Sequence, residues 1–340
     1  MTGGLGFLGR RVVARTLEAG GAALAVDSRE DGATQGLPAR YADVRDLAAM
    51  TAAMEEFGAE VVVHSAALVP SSPAQEIWSS NAEGTRIVLE AARRAGVRRV
   101  VFISSAAVYS VDGPPFRDES APLAPEGVYA RAKVEAERWC EEYRARHGMI
   151  VPVLRPTPII GPGRRGVFHF LFEWVSEGRR IPFLGDGSNR FQFIHVDDCC
   201  AAIDAALAAP EARANTVFNV GAVTVGTVRD DLRALCAAAG TGARPVGVPR
   251  ALVEPALLRA HRAGISPLYP WMLMAASREM TFSVERLRAL GWSPRYSNAD
   301  TLIDAWRAHD AARGTVTAGV GTDHLRPWRG GLIDWIRRIA

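Results

Sequence analysis

Residues 2–9 read Thr-Gly-Gly-Leu-Gly-Phe-Leu-Gly, so that Gly3, Gly6 and Gly9 recur at every third position just ahead of a helical stretch. Glycines at this spacing let a chain turn tightly, bring its backbone against a bound pyrophosphate and pack the following helix on a sheet. The helix then aims its unpaired N–H groups at the phosphates. Such a turn follows a buried parallel strand, and here only Met1 stands before it. A central strand cannot be dropped without exposing the ladder edges of both neighbours, so we expect the reading frame to extend upstream of Met1. Valine is the residue expected just before Thr-Gly-Gly, and its GTG codon can be read as a start; the upstream nucleotide sequence decides the point.

From residue 7 to about residue 155, short β-branched runs alternate with longer Ala/Arg/Glu-rich stretches, the pattern of an α/β fold in which helices flank a parallel sheet. Strands are expected at Ala22 to Val26, Val61 to His64, Val100 to Ile103 and Val151 to Leu154. The residues that follow them, Asp27, Ser65-Ala66-Ala67, Ser104-Ser105 and Arg155-Pro156, sit where open α/β sheets bind ligands. This gives a Rossmann-type, doubly wound dinucleotide-binding domain over 1–156, with a return segment at 193–222 whose strands, Phe193 to Val196 and Val217 to Val220, rejoin the main sheet. Residues 157–192 and 223–312 form a smaller C-terminal substrate lobe that contains an aromatic helix, Phe168 to Trp174, and a turn at Gly185-Asp186-Gly187. Residues 313–340 read as a linker and an amphipathic tail, in which Trp328, Trp335 and Ile339 lie among Arg326, Arg329, Arg337 and Arg338. That tail can dock on its own domain, join a second subunit or lie on an anionic membrane surface, in that order of preference.

A length of 340 residues with 48% hydrophobic content suits a large core in two lobes. The 40 basic and 37 acidic residues are interspersed, which gives no warrant for nucleic-acid binding. Cys140, Cys199, Cys200 and Cys236 show neither metal-ligand spacing nor a disulfide framework, so no metal is expected. Without a signal peptide or an apolar run of roughly 20 residues, the chain reads as cytoplasmic.

Two further motifs carry chemistry. Asp27, eighteen residues after Gly9, is placed to accept hydrogen bonds from an adenosine ribose; its carboxylate repels a 2′-phosphate and favours NAD, whereas Arg29 could pair with that phosphate and admit NADP. Asp43-Val44 and Ala66-Ala67 end the next two strands, where an adenine edge and a close backbone approach are needed; Phe7, Leu8 and Pro156 complete the expected cofactor contacts. Tyr129 and Lys133 then stand one helical turn apart, phenol and ammonium on one face. A free tyrosine titrates near pH 10, and bringing it to neutrality requires roughly 4 kcal/mol of preferential anion stabilisation, much of which a nearby ammonium can supply. Ser105 can hold the same substrate oxygen for proton transfer.

With these residues in this order, the chain resembles the extended short-chain dehydrogenase/reductases of the NAD-dependent epimerase/dehydratase group. The matching stretches run from Thr2 to Gly9 through Asp43-Val44, His64 to Ala67, Asn81 with Gly84-Thr85, and Phe102 to Tyr109. They continue through Tyr129 to Lys133, Leu154 to Pro156, Gly161-Pro162, Gly185 to Gly187, His195 to Asp198 and Leu290 to Trp292. The resemblance implies a hydride exchanged between carbon and nicotinamide, with Tyr129 as acid/base, Lys133 on the nicotinamide ribose and Ser105 anchoring the reacting oxygen. It also implies Asn81 near the cofactor and a homodimer through two helices of the main sheet. His195 reads as structural.

Departures from the pattern bear on the substrate. Dehydratases resembling this chain carry an Asp-Glu pair where it has Ala106 and Ala107, so dehydration by that route is disfavoured. Pro158 stands where an asparagine is usual, and Phe191 where an arginine grips the substrate diphosphate; Arg190, or Arg164-Arg165, are the candidates to replace it. Three readings follow. The first is a sugar-nucleotide epimerase that releases no net NADH. The second is a dehydrogenase or reductase of a less polar alcohol or ketone, resembling the 3β-hydroxysteroid dehydrogenase branch, in which Phe168, Phe170, Phe172, Trp174, Phe191 and Phe193 could line an apolar pocket, although aromatics at helical spacing are more often plain core. The third is a catalytically idle NAD-binding regulator.

Overall fold

A computed structural model describes residues 1–28, 34, 36–262 and 277–313. Arg29 and the tail beyond Arg313 lie outside the described residues.

The main sheet is parallel throughout. β1 (Ala25–Asp27) pairs with β2 (Ala39–Tyr41), and β3 (Val61–His64), β4 (Arg99–Ile103), β6 (Val153–Pro156) and β10 (Val217–Val220) follow side by side, while β5 (Phe116–Arg117) pairs apart from them with Thr281–Phe282. The two groups are joined by a single residue. Thr2 bridges Val26 on one side and His64 on the other, its amide donating to Val63 O at 3.0 Å while Val26 N donates to Met1 O at 2.8 Å. Below it, Met1, Leu24, Val26, Met50 and Val62 enclose a cavity of about 40 Å³. The Met1 ammonium donates to Leu24 O at 2.9 Å, and burial pulls it down to about 6.

Successive strand residues face opposite sides of a sheet, and the core divides accordingly. Val63, Val101, Ile103 and Leu154 pack with Phe7, Leu8 and Val12 of α1 (Phe7–Glu18) and with Ile203 from the helix Val196–Ala208. Their neighbours Val62, Val100, Phe102 and Val153 pack on the other face against α2 (Leu47–Phe57), the helix Gly84–Arg94 and the helix Gly127–His147. The valine-rich runs are thus buried on both sides, as a doubly wound sheet requires. All four cysteines are buried and free. Among the described residues no helix is long and apolar enough to cross a membrane.

Beyond Pro156 the chain builds a second core. β8 (Arg180–Leu184) and β11 (Arg244–Val248) pair in parallel, and helices Phe168–Ser176, Val228–Ala239 and Asn298–Ala311 close around Phe172, Trp174, Leu235 and Trp306. One strand expectation is corrected. β9 (Ile194–His195) pairs with β7 (Ile159–Ile160) in a separate small sheet, while β10 alone of the return segment joins the main sheet. The reason is local: Val196 already begins a helix, with His195 Nδ1 accepting from Asp197 N, so the strand stops after two residues.

The glycine turn fixes how closely α1 approaches the sheet. A Cβ on Gly9 would collide with the Gly3 carbonyl oxygen, with Gly4 Cα next at 2.7 Å. Gly9→Ala should therefore lower the stability to urea by about 1–3 kcal/mol, measured as a shift in the denaturation midpoint at unchanged slope.

Candidate active site

At the carboxyl ends of the main-sheet strands lies a cleft of about 870 Å³. The glycine turn forms its floor. Gly3 adopts φ +64°, and a Cβ there would sit 2.8 Å from Ala66 N, so only glycine permits this approach. Gly6 N donates to Gly3 O at 3.0 Å, and α1 starts at Phe7 with no capping side chain and no acidic residue in its first turn. Its leading N–H groups are therefore available to an anion in the cleft. Asp27, buried at the end of β1, accepts from Leu5 N at 3.1 Å and lines the same cleft. The positive-φ turn, the uncapped helix end and the strand-end carboxylate fit a dinucleotide. Gly3, Gly6, Phe7, Leu8, Gly9, Asp27, Asp43, Val44, Ala66, Ala67 and Pro156 all line this cleft. Asp43 is also paired with Arg45, whose guanidinium holds its carboxyl below the usual range.

Asn81 is placed differently. It is fully buried in a wide helical turn, Ser79–Glu83, where its side chain accepts from Leu68 N at 2.8 Å and donates to Leu68 O at 2.9 Å. It holds the loop that lines the cleft and does not itself line it. A second polar chain reaches the same point: Thr85 Oγ1 donates to Asn81 O, His64 Nε2 lies 3.0 Å from Thr85 Oγ1, and Thr2 Oγ1 lies 2.6 Å from His64 Nδ1. Burial lowers His64 to about 3, so its ring is neutral, with Nε2 as donor and Nδ1 as acceptor. Glycine turn and Leu68 loop are thereby locked together.

Ser105, Tyr129 and Lys133 all face the cleft. Ser105 follows β4 and caps a short 3₁₀ turn, accepting from Ala107 N at 3.1 Å. Tyr129 and Lys133 rise from the first turns of the helix Gly127–His147. Burial pushes the Tyr129 phenol up, while a hydrogen bond with Ser105 and the charge of Arg164 pull it back. The ammonium expected to do this is engaged elsewhere: Lys133 Nζ donates to Ile103 O at 2.7 Å and stands 4.8 Å from the centre of the Phe102 ring. Burial pulls Lys133 down to about 8, with Glu137 opposing. It is the only lysine among the 40 basic residues of the chain.

Behind these groups runs a buried network that joins Ser104, Tyr109 and Arg155 of the sequence motifs to Glu137 and Asn219, which no motif includes. Glu137 receives the Ser104 hydroxyl and a paired Arg155 guanidinium, with Nε–Oε1 at 3.0 Å and Nη2–Oε2 at 2.5 Å. Arg155 Nη1 donates to Tyr109 Oη at 2.7 Å, and Tyr109 donates to Asn219 Oδ1 at 2.8 Å. The network ties three strand ends, those of β4, β6 and β10, to the tyrosine-bearing helix. Its signal is present in the spacing, since Glu137 continues the face of Tyr129 and Lys133 by one more turn.

Of the two replacements considered for the diphosphate arginine, Arg164 lines the cleft, its guanidinium 5.4 Å from the Phe7 ring centre and 5.7 Å from that of Phe168. Arg190 instead meets Glu279. The aromatic residues take the core reading: none of the six lines the cleft, and Phe170, Phe172, Trp174 and Phe191 are buried in core clusters. His195 is fully buried, stacked on Tyr296 at 3.7 Å with Nε2 3.0 Å from Asp304, which fits a structural role.

A parallel sheet, a glycine turn at its carboxyl edge and a titratable trio opposite define a dinucleotide-binding enzyme scaffold. Residues 1–221 match the NAD dependent epimerase/dehydratase family, and the chain belongs to it. It is 32% identical over 331 residues to uncharacterized protein y4nG of Sinorhizobium fredii, covering 96% of this chain and 82% of that one. Against a UDP-glucose 4-epimerase of Mycolicibacterium smegmatis the identity is 30% over 265 residues, 72% of this chain and 83% of the relative. The fold matches that of the Thermus thermophilus UDP-glucose 4-epimerase in complex with NAD at a TM-score of 0.73, with 25% identity, covering 93% of this chain and 98% of that one.

Two tests follow from the buried charges. Glu137→Gln leaves Arg155 without its counter-charge and should cost about 3–5 kcal/mol in chemical denaturation. Lys133 binds its proton less tightly folded, near 8, than at its ordinary value of 10.5. Between these pH values the unfolded chain holds a proton that the folded chain has released, so stability rises with pH. Wild type should gain on the order of 3 kcal/mol over Lys133→Met as pH is raised through that window, and none below it, in paired denaturation curves.

Proposed function

We propose that this chain is an NAD-dependent epimerase of a sugar nucleotide, acting on one secondary alcohol through Ser105, Tyr129 and Lys133. The observation that carries the proposal is the placement of the chain's single lysine, buried one turn from Tyr129 and lining, with Tyr129 and Ser105, the cleft that the glycine turn floors. A chain that uses arginine at every other basic position has a compact ammonium where a tunable point charge is needed.

Ser105 holds the substrate oxygen, and the Tyr129 phenolate takes the hydroxyl proton as the hydrogen on the same carbon departs as hydride. A bound dinucleotide would supply the hydride acceptor and donor for this exchange, and Tyr129 would give the proton back to the substrate oxygen, inverting the centre if the hydride returned to the opposite face. Lys133 binds the nicotinamide ribose, Asp27 the adenosine ribose, and the N-terminus of α1 the pyrophosphate. Asp27 supports NAD over NADP, as does the NAD in the Thermus relative. Ala106 and Ala107 line the cleft with no titratable group, which supports epimerisation over dehydration. The second core, around β8 and β11, is the substrate lobe, and Arg164 offers the cation for an anionic substrate group. Because the aromatic side chains are spent in the core, the less polar alcohol loses its expected pocket.

Tyr129→Phe should lower turnover by about 10²- to 10⁴-fold while NAD binding, read by fluorescence titration, is retained. Offered NAD with sugar nucleotides and with hydrophobic secondary alcohols, the wild-type protein should invert a sugar nucleotide without net NADH. Net NADH from an alcohol would instead establish the dehydrogenase reading, and NAD binding without turnover on the whole panel the regulator.

A further inference from the structure

Away from the cleft, the helix Phe168–Ser176 meets the helix Asn298–Ala311 across an apolar seam of Phe172, Leu302, Ala305 and Trp306. One polar cluster is set into that seam. His169 and Glu173 are one turn apart on the first helix, so their side chains leave the same face. His309, in the last turn of the second, places Nε2 2.8 Å from Glu173 Oε1. The rings of His169 and His309 meet edge to face, centroids 5.2 Å apart. One donor atom from each residue lies within 4.8 Å of the other two. The side chains of His309 and Glu173 are 8% and 15% exposed, largely shielded yet reachable from solvent.

Two imidazoles and a carboxylate are a donor set suited to late first-row divalent ions, whereas Mg²⁺ and Ca²⁺ prefer oxygen alone. Tetrahedral zinc with bonds of about 2.0–2.1 Å sets its donor atoms about 3.3 Å apart. The His309–Glu173 pair is already closer than this, and all three donor atoms lie within 4.8 Å of one another. Arg313 Nη2 stands 3.5 Å from Glu173 Oε2, holding the second oxygen and leaving Oε1 to face the imidazoles.

We propose that His169, Glu173 and His309 bind a divalent transition-metal ion, zinc by its ligand chemistry, that clips these two helices together. The sequence reading expects no metal, because it weighs cysteine spacing and these ligands are drawn from positions 136 residues apart. The clip reaches the cleft through one neighbour: Phe168, next to His169, lies under the Arg164 guanidinium, and Arg164 lines the cleft wall. The ion's role is to position that wall, and its binding does not depend on which reaction the cleft performs.

The test uses the full chain, freed of metal by chelator and titrated with zinc chloride, with bound metal counted by mass spectrometry and unfolding followed by calorimetry. We expect one zinc per chain and a melting temperature raised by several degrees at about 100 times Kd, with no rise on adding magnesium. His169→Asn and His309→Asn should each weaken binding at least about tenfold and remove the rise. Each variant is read against its own metal-free melting temperature, so lost packing appears as a lower baseline and not as a lost response. Failure of wild type to take up stoichiometric zinc, or an equal zinc response in both variants, overturns the proposal.

Discussion

The approach of one backbone to another at Gly3 sets the geometry of the cleft. With no side chain at this residue, the turn lies against the Ala66 backbone, and Gly9 lets α1 settle on the turn itself. A methyl group at either place would lift the helix from the sheet and move its N-terminus off the cleft floor. The hydrogen bonds of Thr2, His64, Thr85 and Asn81 then fix the Leu68 loop relative to this turn. Cleft floor and cleft rim are thus one unit, joined through a single bridging residue between β1 and β3.

A second rigid unit faces it. Glu137 and Arg155 are both removed from water, and such a pair adds little net stability unless its remaining polar atoms are satisfied. Here Ser104 and Tyr109 satisfy them, and Asn219 extends the chain to the far strand. The pair sits directly behind the cleft, where it holds the helix of Tyr129 and Lys133 against the end of β4. Its value lies in placing Tyr129 and Lys133, because an apolar replacement of equal volume could not hydrogen-bond Ser104 and Tyr109.

Much of this was legible in the chain. The valine runs announced β3, β4 and β10, because strands buried on both faces leave no alternation to misread. The glycine spacing and the four-residue step from Tyr129 to Lys133 located the cleft, since both are local patterns. Contacts between distant segments were not legible. Nothing near Asn81 shows that its amide will be taken up by Leu68, or that Lys133 will spend a hydrogen bond on Ile103 O while Arg164 acts on Tyr129. The aromatic side chains around residue 170 were compatible with pocket or core, and only packing against Leu302 and Trp306 decides for core. The short β9 was misassigned because two strand-forming residues cannot reveal which sheet they join.

The solitary lysine gives the molecule an unusual chemical handle. Guanidinium groups are inert to mild acylating reagents, so an activated ester meets one side-chain amine along the whole chain, and that amine is 2% exposed at the back of the cleft. Its acylation requires the reagent to enter the cleft and Nζ to leave the Ile103 carbonyl. Labelling that elsewhere decorates a surface here becomes a clock for the opening of one buried position, and any occupant of the cleft slows it.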